Sequence, residues 1–209
     1  MSFRKPALVV AAVVAASVLI GTAMSGSEEA GGAFTAVGIE SGAPGPPHDE
    51  PGRRDLAPRG LGATGQIPDG VTVFNTTISG VTKLDPALLS ALRRAATDAA
   101  DDGVQIEVTS GWRSPEYQAQ LLREAVSEYG SEREAARWVA TPEKSAHVSG
   151  DAVDVGPSKA ETWLSKHGAA YGLCQIYRNE PWHYELRPDA ADSGCPPMYA
   201  DPTYDPRMQ

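Results

Sequence analysis

Ser145-Ala146-His147-Val148-Ser149-Gly150-Asp151-Ala152-Val153-Asp154 sets a histidine and a carboxylate seven positions apart, with a glycine between them. Gly150 permits a sharp turn, so both side chains can point at one spot. Imidazole and carboxylate together suit a borderline divalent metal such as zinc. A second stretch, Glu180-Pro181-Trp182-His183-Tyr184-Glu185, adds another histidine with an acid three residues before it. Two histidines and one carboxylate, with an acid left over, are the inventory of a catalytic zinc site that keeps one position open for water.

His147, Asp154 and His183 are the expected ligands. Asp151 competes with Asp154, but Asp154 stands in the apolar run Ala152-Val153-Asp154-Val155, where a charge needs a partner. Asp151 reads instead as a turn residue after Gly150. Glu180 is the spare acid, able to take a proton from water and return it to a leaving amine; the competing reading is a solvated loop acid. Pro181 holds Glu180 extended, unlike the helical His-Glu-x-x-His arrangement. Glu185 reads as a surface acid or as one that orients a histidine. Arg113 follows a strand and stands at a helix N-terminus, which makes it the candidate to steady an oxyanion; a salt bridge to a linker or helix acid is the alternative. Trp112, Tyr117 and Trp182 are core or pocket aromatics. His167 falls near a helix C-terminus, and His48 in a segment with little core.

Working outward, the expected fold is α+β: a small, mainly antiparallel sheet carries the site and packs against helices. Asp85-Pro86 reads as N-cap and first helical position, followed by Leu88, Leu89, Leu92, Ala96 and Ala99 on one face, with Gly103 closing the helix. Val104, Ile106 and Val108 alternate with polar residues as a half-buried strand, and Val71 to Phe74 is a further short strand. Ser114-Pro115 opens a helix that stops at Gly130. Ser131 with Glu134, and Ser158 with Glu161, read as capping boxes, the first helix running to Val139 and the second ending near Gly168. Ala152 to Val155, Leu173 to Tyr177 and Trp182 to Leu186 complete the strands.

The 209 residues carry 27 acids against 18 bases, a formal charge of −9. No basic block appears, so nucleic acid is not an expected partner. Residues 1–25 hold Arg4 and Lys5, then an apolar run from Ala7 to Met24. That run is about long enough for a bilayer, with positive residues on the cytoplasmic side. It reads as a membrane anchor, or else as a cleaved signal segment; either way the remainder is extracytoplasmic, anchored or secreted. Residues 26–70, rich in Gly and Pro, read as a flexible linker, and 71–209 as one domain, expected to be a monomer. Cys174 and Cys195 in an exported domain favour a disulfide, worth about 3 kcal/mol in the chain-entropy picture and pinning the Pro-rich tail from Pro196 to Pro206; extra metal ligation is the alternative.

Taken together, Ser110-Gly111-Trp112-Arg113-Ser114 with Gln118, Ser145-x-His147-x-x-Gly150-x-Ala152-x-Asp154, and Glu180-Pro181-Trp182-His183 resemble the VanY-type D-alanyl-D-alanine carboxypeptidases of the LAS group of zinc peptidases. The resemblance spans roughly Val81 to Leu186. It implies a Zn2+ enzyme acting on peptidoglycan stem peptides that end in D-Ala-D-Ala. By that resemblance His147, Asp154 and His183 hold the metal, Glu180 is the catalytic base and acid, Arg113 steadies the carbonyl oxygen, and Ser145 and Gln118 help hold substrate. Trp112 stands where tyrosine is common in the family, keeping a ring and losing a hydroxyl. An endopeptidase of the same fold is the close alternative. A metal-stabilised cell-wall-binding module is the distant one, since a pure binder needs neither Glu180 nor Arg113.

Overall fold

The computed structural model describes residues 61–209. Residues 1–60, with the expected anchor and most of the linker, lie outside the described residues. No helix among the described residues is long and apolar enough to cross a membrane. The elements run α1 (Leu61–Thr64), α2 (Ser79–Thr82), α3 (Pro86–Asp101), β1 (Glu107–Ser110), α4 (Pro115–Tyr129), α5 (Glu132–Ala135), α6 (Ala146–Ser149), β2 (Ala152–Gly156), α7 (Ser158–His167), β3 (Leu173–Gln175), β4 (His183–Leu186) and α8 (Ala190–Ser193), with 3-10 turns at Gly168–Tyr171, Pro202–Tyr204 and Pro206–Met208.

The sheet is α+β in the sense expected: four strands in the order β1-β2-β4-β3, each pair antiparallel. Strand alternation sorts the side chains between its two faces. Val153 and Val155 of β2 and Tyr184 of β4 join α3 and α7 in the main apolar core, with Leu88, Leu92, Ala95 and Leu164. Asp154, His183 and Glu185 are the out-of-phase residues, and so they turn to the other face. Asp154 and His183 are direct register partners. The β1–β2 register shifts between Val108 and Ser110, which sets Ser110 opposite Asp154; bulges of this kind re-aim side chains beside functional sites.

Local chemistry explains the helix ends. The Asp85 carboxylate accepts from the backbone N–H of Ala87 and Leu88 at the start of α3, and Ser114 caps α4 through Tyr117 N–H. Gly130 ends α4 in the left-handed region. Ser131 accepts from Glu134 N–H as the first capping box requires, but α5 stops at Ala135 rather than Val139.

Other expectations are corrected. The second capping box does not form: Pro157 is the N-cap of α7 without a side-chain bond, and Ser158 is already helical. Val71 to Phe74 is not a strand; a single bridge joins Thr72 to Glu107. The ladder of β1 starts at Glu107, although Val104 and Ile106 are buried as their alternation predicts. Packing also begins before Val71. Ser114 N–H donates to Thr64 C=O, and Ile67 packs on the main core.

Candidate active site

His147 lies on α6, a single helical turn that ends at Gly150 with φ +85°. Gly150 is required by more than its dihedral: a Cβ would stand 2.6 Å from the Lys83 carbonyl oxygen. The Gly150 carbonyl meanwhile accepts from Asp85 N–H at 2.9 Å. The turn is thus seated on the start of α3, and the chain leaves it directly into β2 and Asp154. On the other side, Glu180-Pro181-Trp182-His183 is a tight turn, closed by His183 N–H donating to Glu180 C=O at 3.1 Å, with proline at its second position. The turn brings the two side chains together at its mouth.

His147, Asp154 and His183 each offer one ligand atom, all within 4.8 Å of one another, and all three residues are buried. Hydrogen bonds decide which atoms those are. The Nδ1 of His147 is 2.8 Å from Gly111 C=O; a carbonyl only accepts, so Nδ1 carries the proton and the lone pair sits on Nε2, 3.4 Å from Asp154 Oδ1. His183 is used the other way round. Its Nδ1 is 3.2 Å from Asp154 Oδ1 and 3.6 Å from Glu180 Oε2, while Nε2 faces Glu185 Oε1 at 3.3 Å. The two rings stand edge to face, 5.1 Å apart. Asp151, the competing ligand, is exposed. Of the other histidines, His167 stacks on Trp163 at the end of α7, and His48 lies outside the described residues.

Arg113 spans the site. Its Nε donates to Ser110 Oγ at 2.7 Å, one terminal nitrogen to Gln118 Oε1 at 3.2 Å, and the other to Asp154 Oδ2 at 2.8 Å. Its acid partner is therefore a candidate ligand, not a linker or helix acid. Gln118 is itself buried and donates to Ala140 C=O at 2.9 Å, which fixes the guanidinium in its plane. Ser145 is buried in the cleft wall, and its hydroxyl is not used to cap α6. Tyr117, Trp182 and Trp138 line the same cleft. Trp112 does not; its ring receives the Lys83 ammonium at 3.7 Å.

The electrostatics divide the acids. Burial alone would raise Asp154, but contacts with His147, His183 and Arg113 outweigh it and hold the carboxyl well below its usual range. Burial, with Arg113 nearby, pushes His147 down, toward the neutral form a ligand needs. Burial pushes Glu180 up to about 8. Glu180 Oε1 is buried without a hydrogen-bond partner among the described residues, an uncommon state for a carboxylate oxygen.

Further residues support the site. Glu185 is a buried acid that faces His183, so its surface reading falls and its orienting reading stands. Tyr177 packs 5.2 Å from the His183 ring and donates to Asp205 Oδ2 at 2.9 Å. Pro202 and Met208 of the C-terminal tail line the cleft. Cys174 and Cys195 are joined as a disulfide, which ties that tail to β3. The signal for the tail was present: Asp201-Pro202 and Asp205-Pro206 repeat the cap-and-first-position pattern of Asp85-Pro86, and both aspartates do cap 3-10 turns.

The chain is similar to several known proteins. A curated D-alanyl-D-alanine carboxypeptidase of Enterococcus faecalis is 29% identical over 143 residues, 56% of this chain and 53% of that protein. The chain thus spans about half the length of the curated relative it matches. The solved structure of VanYB in complex with D-alanine-D-alanine superposes with a TM-score of 0.52 at 27% identity, over 62% of this chain and 84% of that one. A zinc-bound mutant of the vancomycin-resistance D,D-pentapeptidase VanY is 28% identical with a TM-score of 0.49, over 58% of this chain and 82% of that one. Residues 81–189, just over half of the sequence, match the family model VanY, D-alanyl-D-alanine carboxypeptidase, and the chain belongs to that family.

Proposed function

We propose that the chain is a zinc D,D-carboxypeptidase that removes the terminal D-alanine from peptidoglycan stem peptides ending in D-Ala-D-Ala. The observation that carries this reading is the pairing, in one cleft, of a His-Asp-His group with a buried carboxylate oxygen, Glu180 Oε1, that has no hydrogen-bond partner among the described residues. The donor set fits zinc: two imidazole nitrogens and one carboxylate oxygen, converging from three segments. His147 through Nε2, His183 through Nδ1 and Asp154 would hold the ion. Bound there, Zn2+ supplies Lewis acidity, polarising a carbonyl and acidifying water toward neutrality.

The protein's own groups account for the proton and the charge. Glu180, buried beside His183 at the mouth of the turn, takes a proton from the attacking water. It gives that proton to the amine nitrogen as the C–N bond breaks. Arg113 keeps unused N–H groups beside the cleft, where the carbonyl oxygen gains negative charge. Its bonds to Ser110, Gln118 and Asp154 hold it there before substrate arrives. The Ser145 hydroxyl is available to the bound peptide. Gln118 contributes by holding Arg113. The family match and the dipeptide-bound relative support this substrate class. The disulfide and the apolar segment at Ala7 to Met24 support an exported protein, tethered to the membrane or released from it.

Mass spectrometry of a muropeptide pentapeptide after incubation with the zinc-loaded chain tests this. The expected change is loss of one D-alanine. Release of a larger fragment selects the endopeptidase, and an intact peptide with metal bound selects the binding module.

A further inference from the structure

We propose that Arg207, on the C-terminal tail, is a positioning residue that fixes the ring of His183 through Glu185. The inference rests on the reading of His183 as a metal ligand and adds a residue that lies past the family match, which ends at 189.

A histidine that binds metal through one ring nitrogen is set in place by what the other nitrogen meets. For His183 that is Glu185 Oε1, at 3.3 Å. Glu185 is in turn gripped by two arginines, and they are not equivalent. Arg187 reaches only Oε2, at 2.7 Å. Arg207 takes the carboxylate with both prongs, Oε2 at 2.6 Å and Oε1 at 3.1 Å, and so it alone of the two bonds the oxygen that faces the histidine. A two-pronged pair fixes the plane of the carboxylate as well as its charge.

Arg207 is fixed in its turn. Its Nε donates to Asp205 at 3.1 and 3.0 Å. Asp205 is fully buried and accepts from the Tyr177 hydroxyl, and the Tyr177 ring packs beside the His183 ring. The contacts therefore close a circuit from His183 through Glu185, Arg207, Asp205 and Tyr177 back to His183. The tail that carries this circuit is secured at both ends, by the Cys174–Cys195 disulfide and by Lys144 donating to Met208 C=O at 2.9 Å. A surface arginine paired only for stability would need neither the fork on Glu185 nor the return through Tyr177.

The test is Zn2+ affinity by chelator competition, on the full chain, for the wild type and Arg207→Met, each with and without Glu185→Gln. Arg207→Met is expected to weaken Zn2+ binding by about 10- to 100-fold, the usual effect of losing a group that orients a ligand. In the Glu185→Gln background the same substitution should change affinity less than about threefold, because the relay is already cut. Arg207→Lys keeps a charge beside Asp205 but loses the fork, so it folds even if the Met variant does not, and it should weaken binding by at least ~3-fold. Unchanged affinity in Arg207→Lys or Arg207→Met, or an equal loss in both backgrounds, overturns the proposal. A wild-type chain that takes up no Zn2+ overturns the metal-site reading itself, a result distinct from a wild type that binds and a variant that binds equally well.

Discussion

Two segments of similar length serve the same cleft by opposite means. Residues 145–156 supply two of the three side chains that would touch metal: His147 on α6 and Asp154 on β2, joined by the Gly150 turn. Residues 195–209 supply none of these. They reach the cleft through Pro202 and Met208, and they reach the metal group at second hand, through Arg207 and Glu185 and through Asp205 and Tyr177. The first segment is held by secondary structure, a helical turn running into a central strand. The second is held by a disulfide, two capped turns and ion pairs. A site can therefore draw its chemistry from elements buried in the core, and its alignment from a segment fastened on afterwards.

The sharpest separation of the two roles comes from Glu180, which belongs to neither segment and whose carboxylate meets the tail circuit at His183. Glu180→Gln keeps the volume and removes the basic oxygen. Peptide hydrolysis should fall by about 10²- to 10⁴-fold, the range for loss of a general acid–base, while zinc content measured by elemental analysis stays at one per chain. Arg207→Met should do the reverse, losing metal first. A Glu180→Gln chain that cleaves at the wild-type rate would leave the proton without a carrier and would remove the reason for keeping Oε1 unpartnered.

A smaller effect is expected from the turn that makes the first segment work. Gly150→Ala meets two penalties, a left-handed backbone and a Cβ driven to 2.6 Å from the Lys83 carbonyl oxygen. Strain of this kind costs about 1–3 kcal/mol, and it falls between two candidate ligands, so chemical denaturation and zinc affinity should both worsen. Gly130 is the control. It too is left-handed, at φ +76°, but nothing lies within 4 Å of its Cβ position, so Gly130→Ala should cost about 1 kcal/mol and leave the metal alone. Equal losses would mean that the Lys83 contact yields easily and that the turn is not seated as tightly as its geometry implies.

The same contrast explains what could be read in the sequence. The ligands were legible because their chemistry is unusual where they stand. Asp154 is a charge in an apolar strand, and His183 follows an acid in a proline turn. The α3 and α4 boundaries were legible because Asp85-Pro86 and Ser114-Pro115 satisfy helix N-termini locally. What failed depended on partners far along the chain. Ser158 and Glu161 have the spacing of a capping box, yet Pro157 takes the cap because α7 begins at Ser158, directly after β2. Val71 to Phe74 has strand composition but meets β1 at a single bridge. Arg207 shows no local sign at all: its partner Glu185 is 22 residues away, and nothing in Asp205-Pro206-Arg207 names it. The Asp-Pro turns of the tail could have been read by the rule already applied to Asp85-Pro86. The ion pairs that join the tail to the site could not.

The smallest expected effect concerns how the tail is fastened. Burial alone would raise Asp205, but hydrogen bonds from Arg207 and Tyr177 outweigh it and hold its carboxyl below the ordinary 3.8. A carboxylate depressed in the folded state contributes stability that is fully present above its unfolded value and is lost as pH falls through the folded one. At neutral pH, Asp205→Asn should therefore melt below the wild type. As pH drops below about 3.8 the gap between the two should begin to close, and it should vanish once pH has fallen through the lower folded value, where both carry a neutral group at this position. Thermal melting of the two chains across that range measures it directly. A gap that stays constant down to the acid limit would show that Asp205 holds Arg207 and Tyr177 by shape rather than by charge.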